Sequence, residues 1–387
     1  MAPSRLALFA GSIATTLSLT FAIYYALTLS VPSTKRRRLR AKLPQTIFTW
    51  RRPDMLKMEE EDLWREVAGI LRDAGLTSWK RSYFSILLSP TKYVLSSGFA
   101  YVTPTRVISD GLETMEELSA FEYQNTLSRA AQTAEGHAVI VRVVVIQDEG
   151  HEHSALLKRV ATGPLSLLSN NHCLPLLREF CFEDIVFGVF PRAGGCLTEA
   201  FGYWAKNSVG DILDMILQAL EGLSFLHELN IAHRDMFRPN LLIQWHPESL
   251  STMVVPTSRP RVYIIDFEFS VEFASDCPVE DRVSIGNPIC KWYPSTEYRR
   301  PVPPEVVAGK PYCPFKLDVW QLGTTFTHWS FETTIPAIDE VLEDMKLSDP
   351  AMRLSANEAL MKLSKLVNNM SPDSLLIPPR FKLPGDP

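Results

Sequence analysis

The sequence predicts an α+β chain in two parts, a strand-rich part followed by a helix-rich part, behind a membrane-spanning helix. Three observations predict it. Residues 6–31 form a 26-residue run without a charge, His137–Ile146 is a β-branched run (HAVIVRVVVI), and Ile212, Leu213, Ile216, Leu217, Leu220, Leu223 and Leu226 form an apolar stripe at helical spacing.

As a helix, the first run would measure about 39 Å, enough for a hydrocarbon core of about 30 Å with some tilt. Lys35, Arg36, Arg37, Arg38, Arg40 and Lys42 follow it, against Arg5 before it. This bias predicts residues 1–5 as a lumenal or extracellular tail, 6–31 as the span and 32–57 as a basic juxtamembrane linker touching anionic lipid. The protein would then be single-pass, with its folded domain in the cytosol and lipid as a partner through residues 6–42. Residues 58–117 are predicted as an N-terminal extension opening on a helix, with Leu63, Val67, Ile70 and Leu71 at helical spacing behind an acidic first turn. After the HAVIVRVVVI strand, the sequence predicts a short helix around HSALLKRVA, then strands in CLPLLREF and DIVFGVF.

The composition fits a folded globular unit, with 46% hydrophobic and 21% charged residues. With 39 basic against 44 acidic residues there is no global positive field, so no nucleic-acid partner is expected. The six cysteines have no C-x-x-C pair or zinc-ligand spacing and read as reduced, buried thiols.

The segment IAHRDMFRPNLLI places Asn240 five residues after Asp235, matching H-R-D-x-x-x-x-N. Further on come Asp266-Phe267-Glu268 at the end of an apolar strand, Pro303-Pro304-Glu305, Asp318 and Gly323 within DVWQLG, and Asp349 with Arg353 in DPAMR. These ordered segments resemble those of the protein kinase superfamily, over roughly residues 118–372. The resemblance implies a bilobal fold, with a small β-rich N-lobe at 118–190, a larger helical C-lobe at 191–372 and a tail at 373–387. It also implies ATP and magnesium as cofactors, and a protein substrate or protein partner.

By the same resemblance, Asp235 orients the acceptor hydroxyl and takes its proton, Asn240 and Asp266 hold magnesium, and Arg142 lies at the ATP phosphates where the family has lysine. Glu152 would be the helix carboxylate paired with Arg142. Phe237 replaces the lysine of Ser/Thr kinases, which leaves Arg238 as the nearest cation for the transferred phosphoryl group. Glu268 replaces the glycine of D-F-G, and no G-x-G-x-x-G stands between Phe121 and Arg142. The resemblance therefore implies a Ser/Thr protein kinase, with two alternatives left open: a pseudokinase acting as a scaffold or binding module, and a small-molecule phosphotransferase.

Overall fold

The computed structural model describes residues 34–51, 57–82, 86–90, 120–122, 125–198, 207–244, 260–327 and 331–381.

The smaller lobe is built on a five-stranded antiparallel sheet of β1 (Leu76–Ser78), β5 (Ser128–Thr133), β6 (Ala138–Ile146), β7 (Arg178–Phe182) and β8 (Ile185–Pro191), in the order β1-β5-β6-β8-β7. The segment HAVIVRVVVI is apolar almost throughout because β6 is central and covered on both faces. Val139, Val141 and Val143 meet Trp50, Trp64, Val67 and Leu71, while Val144 and Val145 join Leu156, Leu157 and Val160 across a register shift. Those last three belong to a helix at His151–Val160. Gly150 starts that helix at φ 88°, where a Cβ would lie 2.0 Å from the Val144 carbonyl oxygen, so glycine is required. Side chains alternate across a strand, which puts Arg142 with Ala138 and Ile140 on the face opposite Val141.

Three sequence expectations change here. First, β1 lies within the residues expected as an N-terminal extension yet forms an edge of the main sheet. The connection from β1 to β5 carries a second small sheet of β2 (Lys80–Arg81), β3 (Ile86–Leu88) and β4 (Ala120–Glu122). Second, no helix among the described residues is long and apolar enough to cross a membrane. The expected span at 6–31 lies outside them, and single-pass membrane localisation and a lipid partner are not supported. Third, the basic linker is docked on protein. Residues 34–42 are helical, with Arg36 bound to Glu183 at 2.8 Å, Lys42 to Glu66 at 2.9 Å, and Arg40 Nη2 to Asp184 at 2.8 Å. Of the six charges that suggested a lipid surface, Arg36 and Arg40 face carboxylates of the β7–β8 turn and Lys42 faces one of α2 (Lys57–Asp73). Beyond them, α1 (Ile47–Arg51) buries Trp50 completely, edge-on to Trp64 and Phe187.

With α1 and α2 placed, the helix at His151–Val160 is α3. In the larger lobe, α4 (Val209–Glu228) starts with a capping box in which Ser208 and Asp211 satisfy each other's backbone N–H groups, and its apolar stripe is the centre of the core. Short strands β9 (Gly195–Cys196), β10 (Ile231–Ala232), β11 (Leu241–Gln244), β12 (Arg261–Ile264) and β13 (Val271–Glu272) pair as β10-β13 and β12-β11-β9. Around them lie α5 (Pro304–Val307), α6 (Pro314–Thr327), α7 (Pro336–Asp344) and α8 (Ala356–Asn368). All six cysteines are free, but only Cys173 is buried and Cys181 is exposed, because Cys181 lies on β7 at the sheet edge.

If α1 is an integral part of the lobe, Trp50→Ala should lower unfolding free energy by about 3–5 kcal/mol, whereas Arg36→Ala, which removes an exposed ion pair, should cost under about 1 kcal/mol. Urea denaturation of both variants checks this; equal, small effects would restore the linker reading.

Candidate active site

Asp318 on α6 is fully buried and organises the loop that follows β10. Its carboxylate accepts the backbone N–H groups of His233 (2.8 Å) and Arg234 (2.6 Å) and the His227 Nε2–H (2.9 Å). One turn along α6, Gln321 accepts from the Met236 N–H at 3.0 Å and donates to the Arg234 carbonyl at 2.9 Å. These bonds satisfy buried backbone groups that no strand or helix serves, and they hold Arg234 at φ 67°. His233 then donates from Nε2 to the Ile265 carbonyl at 2.9 Å and packs against Phe267. This ties the 233–240 loop to the segment carrying Asp266.

The structure brings Asp235 and Asn240 into direct contact. Asn240 Nδ2 donates to the Asp235 carbonyl at 2.9 Å and to its Oδ2 at 2.7 Å. The other carboxylate oxygen, Oδ1, accepts no hydrogen bond, and Arg300 Nε lies 3.5 Å from it. Burial raises the Asp235 carboxyl above its usual range, against the pull of Arg300. Asp266 has a left-handed backbone, φ 67°, and Arg142 Nη2 donates to it at 2.9 Å. Burial acts to raise its carboxyl too, but Arg142 and then Arg51 outweigh it and hold the group at about 2. Asn240 and Asp266 together offer an amide oxygen and a carboxylate, hard donors that suit a magnesium ion keeping waters and phosphate oxygens. Among the described residues no group of three or more His, Cys, Asp or Glu could hold a metal by itself.

The expected Arg142–Glu152 pair is corrected. Glu152 is 75% exposed on α3 and binds Lys291 at 3.0 Å. One residue along a helix turns the side chain by about 100°, so His153 takes the inward position. Burial pushes His153 down to about 4, with Glu268 opposing and Arg142 assisting. Arg142 is instead ion-paired with Glu268 as well as Asp266. Glu268 has only 4% of its side chain exposed and also receives Arg51 Nη1 at 2.5 Å. The residue in the glycine position of D-F-G thus supplies the carboxylate that the helix does not.

Arg238 is buried at the start of a short turn, Arg238–Asn240. The guanidinium paired with Asp235 comes from Arg300, whose Cζ lies over the Phe237 ring, 5.1 Å from its centre. Ser295 and Thr296 in the same segment are exposed, while the Tyr298 hydroxyl is buried. Further from the site, Glu305 binds the buried Arg353 at 2.7 Å. Arg51 and Arg300 were missed by sequence reasoning because nothing local marks them; Arg51 lies 217 residues from Glu268.

His153 makes a pH prediction. Its folded value lies below the ordinary one of about 6.5, so the unfolded chain binds the proton first as pH falls. Its contribution is complete above about pH 6.5 and is lost as pH falls to about 4, on the order of 3 kcal/mol in all. Urea unfolding of His153→Leu at pH 7 and pH 5 should show a shallower acid loss than the wild type. An identical loss would place His153 in solvent.

A protein kinase domain model matches residues 168–351. The chain is 30% identical over 154 residues to the serine/threonine-protein kinase CAK1 of Saccharomyces cerevisiae, covering 37% of each protein. Over 223 residues it is 25% identical to a probable cyclin-dependent kinase 8 of Dictyostelium discoideum, 56% of this chain and 53% of that one. Over 308 residues it is 21% identical to the serine/threonine-protein kinase SKM1 of S. cerevisiae, 76% of this chain and 39% of that one. The matched stretches span between 37% and 53% of the length of these relatives. With the kinase motifs of the catalytic loop and the Asp266 segment gathered at one site, these matches support membership of the protein kinase superfamily.

Proposed function

We propose that the chain transfers the γ-phosphoryl group of ATP to a serine or threonine hydroxyl of a protein. In this reaction the hydroxyl oxygen forms a bond to the γ-phosphorus, the bond from that phosphorus to the β–γ bridging oxygen breaks, ADP leaves, and the hydroxyl proton passes to Asp235. The observation that carries the reading is the Asp235 carboxylate. Asn240 fixes one oxygen at 2.7 Å and the other accepts no hydrogen bond, as a group that receives a proton from a substrate hydroxyl requires.

Asn240 and Asp266 would hold magnesium, whose chemistry when bound is to neutralise charge on the phosphate oxygens. Arg142 would contact the phosphates, its position fixed by Glu268. Phe237 leaves the usual lysine position apolar, and the guanidinium of Arg300, over that ring and 3.5 Å from Asp235, would supply the missing positive charge at the transferred group. The Ser/Thr class rests on the similarity to serine/threonine-protein kinases, as does a protein as substrate or partner. A scaffolding pseudokinase is the second reading. It is favoured by one feature, the two guanidiniums already facing the magnesium carboxylate.

Transfer from labelled ATP to general protein acceptors, with magnesium and the full chain, tests the choice. Asp235→Asn and Asp266→Asn should each lower the rate at least about 100-fold; a wild type no faster than both variants would leave the scaffold. Arg300→Met should lower kcat on the order of 100-fold, and Phe237→Lys in that background should restore part of the loss. Failure of the second substitution to recover any rate would remove Arg300 from the chemistry.

A further inference from the structure

Arg51 belongs to α1, outside the stretch that matches the kinase domain, yet its guanidinium is inside the site. Nη1 lies 2.5 Å from Glu268 Oε2, and Nη2 lies 3.9 Å from Asp266 Oδ2. One edge of the guanidinium is therefore bound, while the other faces the magnesium carboxylate from beyond hydrogen-bond reach. The side chain retains 21% exposure and lies over the Tyr293 ring at 5.5 Å.

Its mounting is rigid. Trp50 beside it is completely buried, the Trp50 carbonyl accepts the Thr126 hydroxyl, and the Ile47 N–H donates to Glu149 at 2.6 Å. A cation held this way loses little conformational freedom when a ligand arrives.

Charge gives Arg51 its consequence. With one cation, Arg142, the site would oppose Asp266 and Glu268 with a net charge of −1, and an anionic nucleotide would depend on metal to enter. Arg51 brings the four side chains to neutrality without metal. A planar guanidinium also matches phosphate oxygens in a bidentate fork.

We propose that Arg51 is a phosphate-binding residue of the nucleotide site and that, together with Arg142, it lets the chain bind a nucleoside triphosphate without a divalent cation. This rests on the nucleotide-site part of the proposed function; the transfer step itself remains magnesium-dependent. The N-terminal segment thereby completes the site rather than merely adjoining it.

The test is the affinity of the full chain for a fluorescent ATP analogue and for adenosine, with magnesium and with EDTA, by titration and thermal shift. The wild-type affinity for the analogue in EDTA should stay within about tenfold of that in magnesium. Arg51→Met should weaken the EDTA affinity by at least about tenfold and the magnesium affinity less, leaving adenosine binding unchanged, and Arg51→Lys should recover part of the loss. Wild-type binding that vanishes in EDTA, or an Arg51→Met variant that binds as the wild type does, would overturn the proposal. Equal weakening for the analogue and adenosine would also overturn it, by making Arg51 a structural pin. If neither condition gives any wild-type binding, the nucleotide site fails with it; binding without phosphoryl transfer overturns only the transfer reading.

Discussion

Four charged side chains, Arg51, Arg142, Asp266 and Glu268, are largely buried together, and the arrangement of the site follows from the need to neutralise them. An isolated charge removed from water would cost several kcal/mol, so each must lie against an opposite one. The partners come from four places in the chain: the end of α1, the centre of β6, the residue after β12 and Ile265, and the short turn beyond it. Meeting this single requirement fixes the N-terminal segment, the sheet and the 266–268 turn relative to one another. It also accounts for the depressed Asp266 carboxyl, since a buried carboxylate facing two guanidiniums stays ionised.

A second buried carboxylate, Asp318, does the equivalent work for the backbone. It faces N–H groups rather than cations, and with Gln321 it holds the 233–236 loop from one side, while His233 reaches the Ile265 carbonyl on the other. The loop therefore cannot move independently of Asp266. Asp235 gains its place from this frame, and its burial raises its carboxyl above the usual range.

How much of this could be read from the sequence depended on chain distance. Asp235, Asn240 and Asp266 lie in short segments whose spacing is local, and the β6 run and the α4 stripe announce themselves by periodicity. Arg51 and Arg300 carry no such mark, because their partners are distant in the chain and only the fold brings them near. Glu152 was misplaced by a single residue, which on a helix is enough to turn a side chain from the site to solvent. The three-residue β1 is too short to show a period, so the start of the sheet passed for an extension. The cluster at 35–42 has the pattern of a lipid-facing stretch, but Glu66, Glu183 and Asp184 supply negative charge to Lys42, Arg36 and Arg40 from within the protein.

The position of Glu268 has a consequence for how the site responds to movement. A carboxylate on α3 would couple the charge of Arg142 to the placement of that helix, so that displacing α3 would expose an unpaired buried cation. Here the carboxylate is two residues from Asp266, in the same turn, and it moves with Asp266. What α3 contributes in its place is a neutral histidine, packed where burial keeps it uncharged at physiological pH. The electrostatic integrity of the site is therefore set by α1 and β6 meeting the 266–268 turn, while α3 contributes packing through Leu156, Leu157 and Val160.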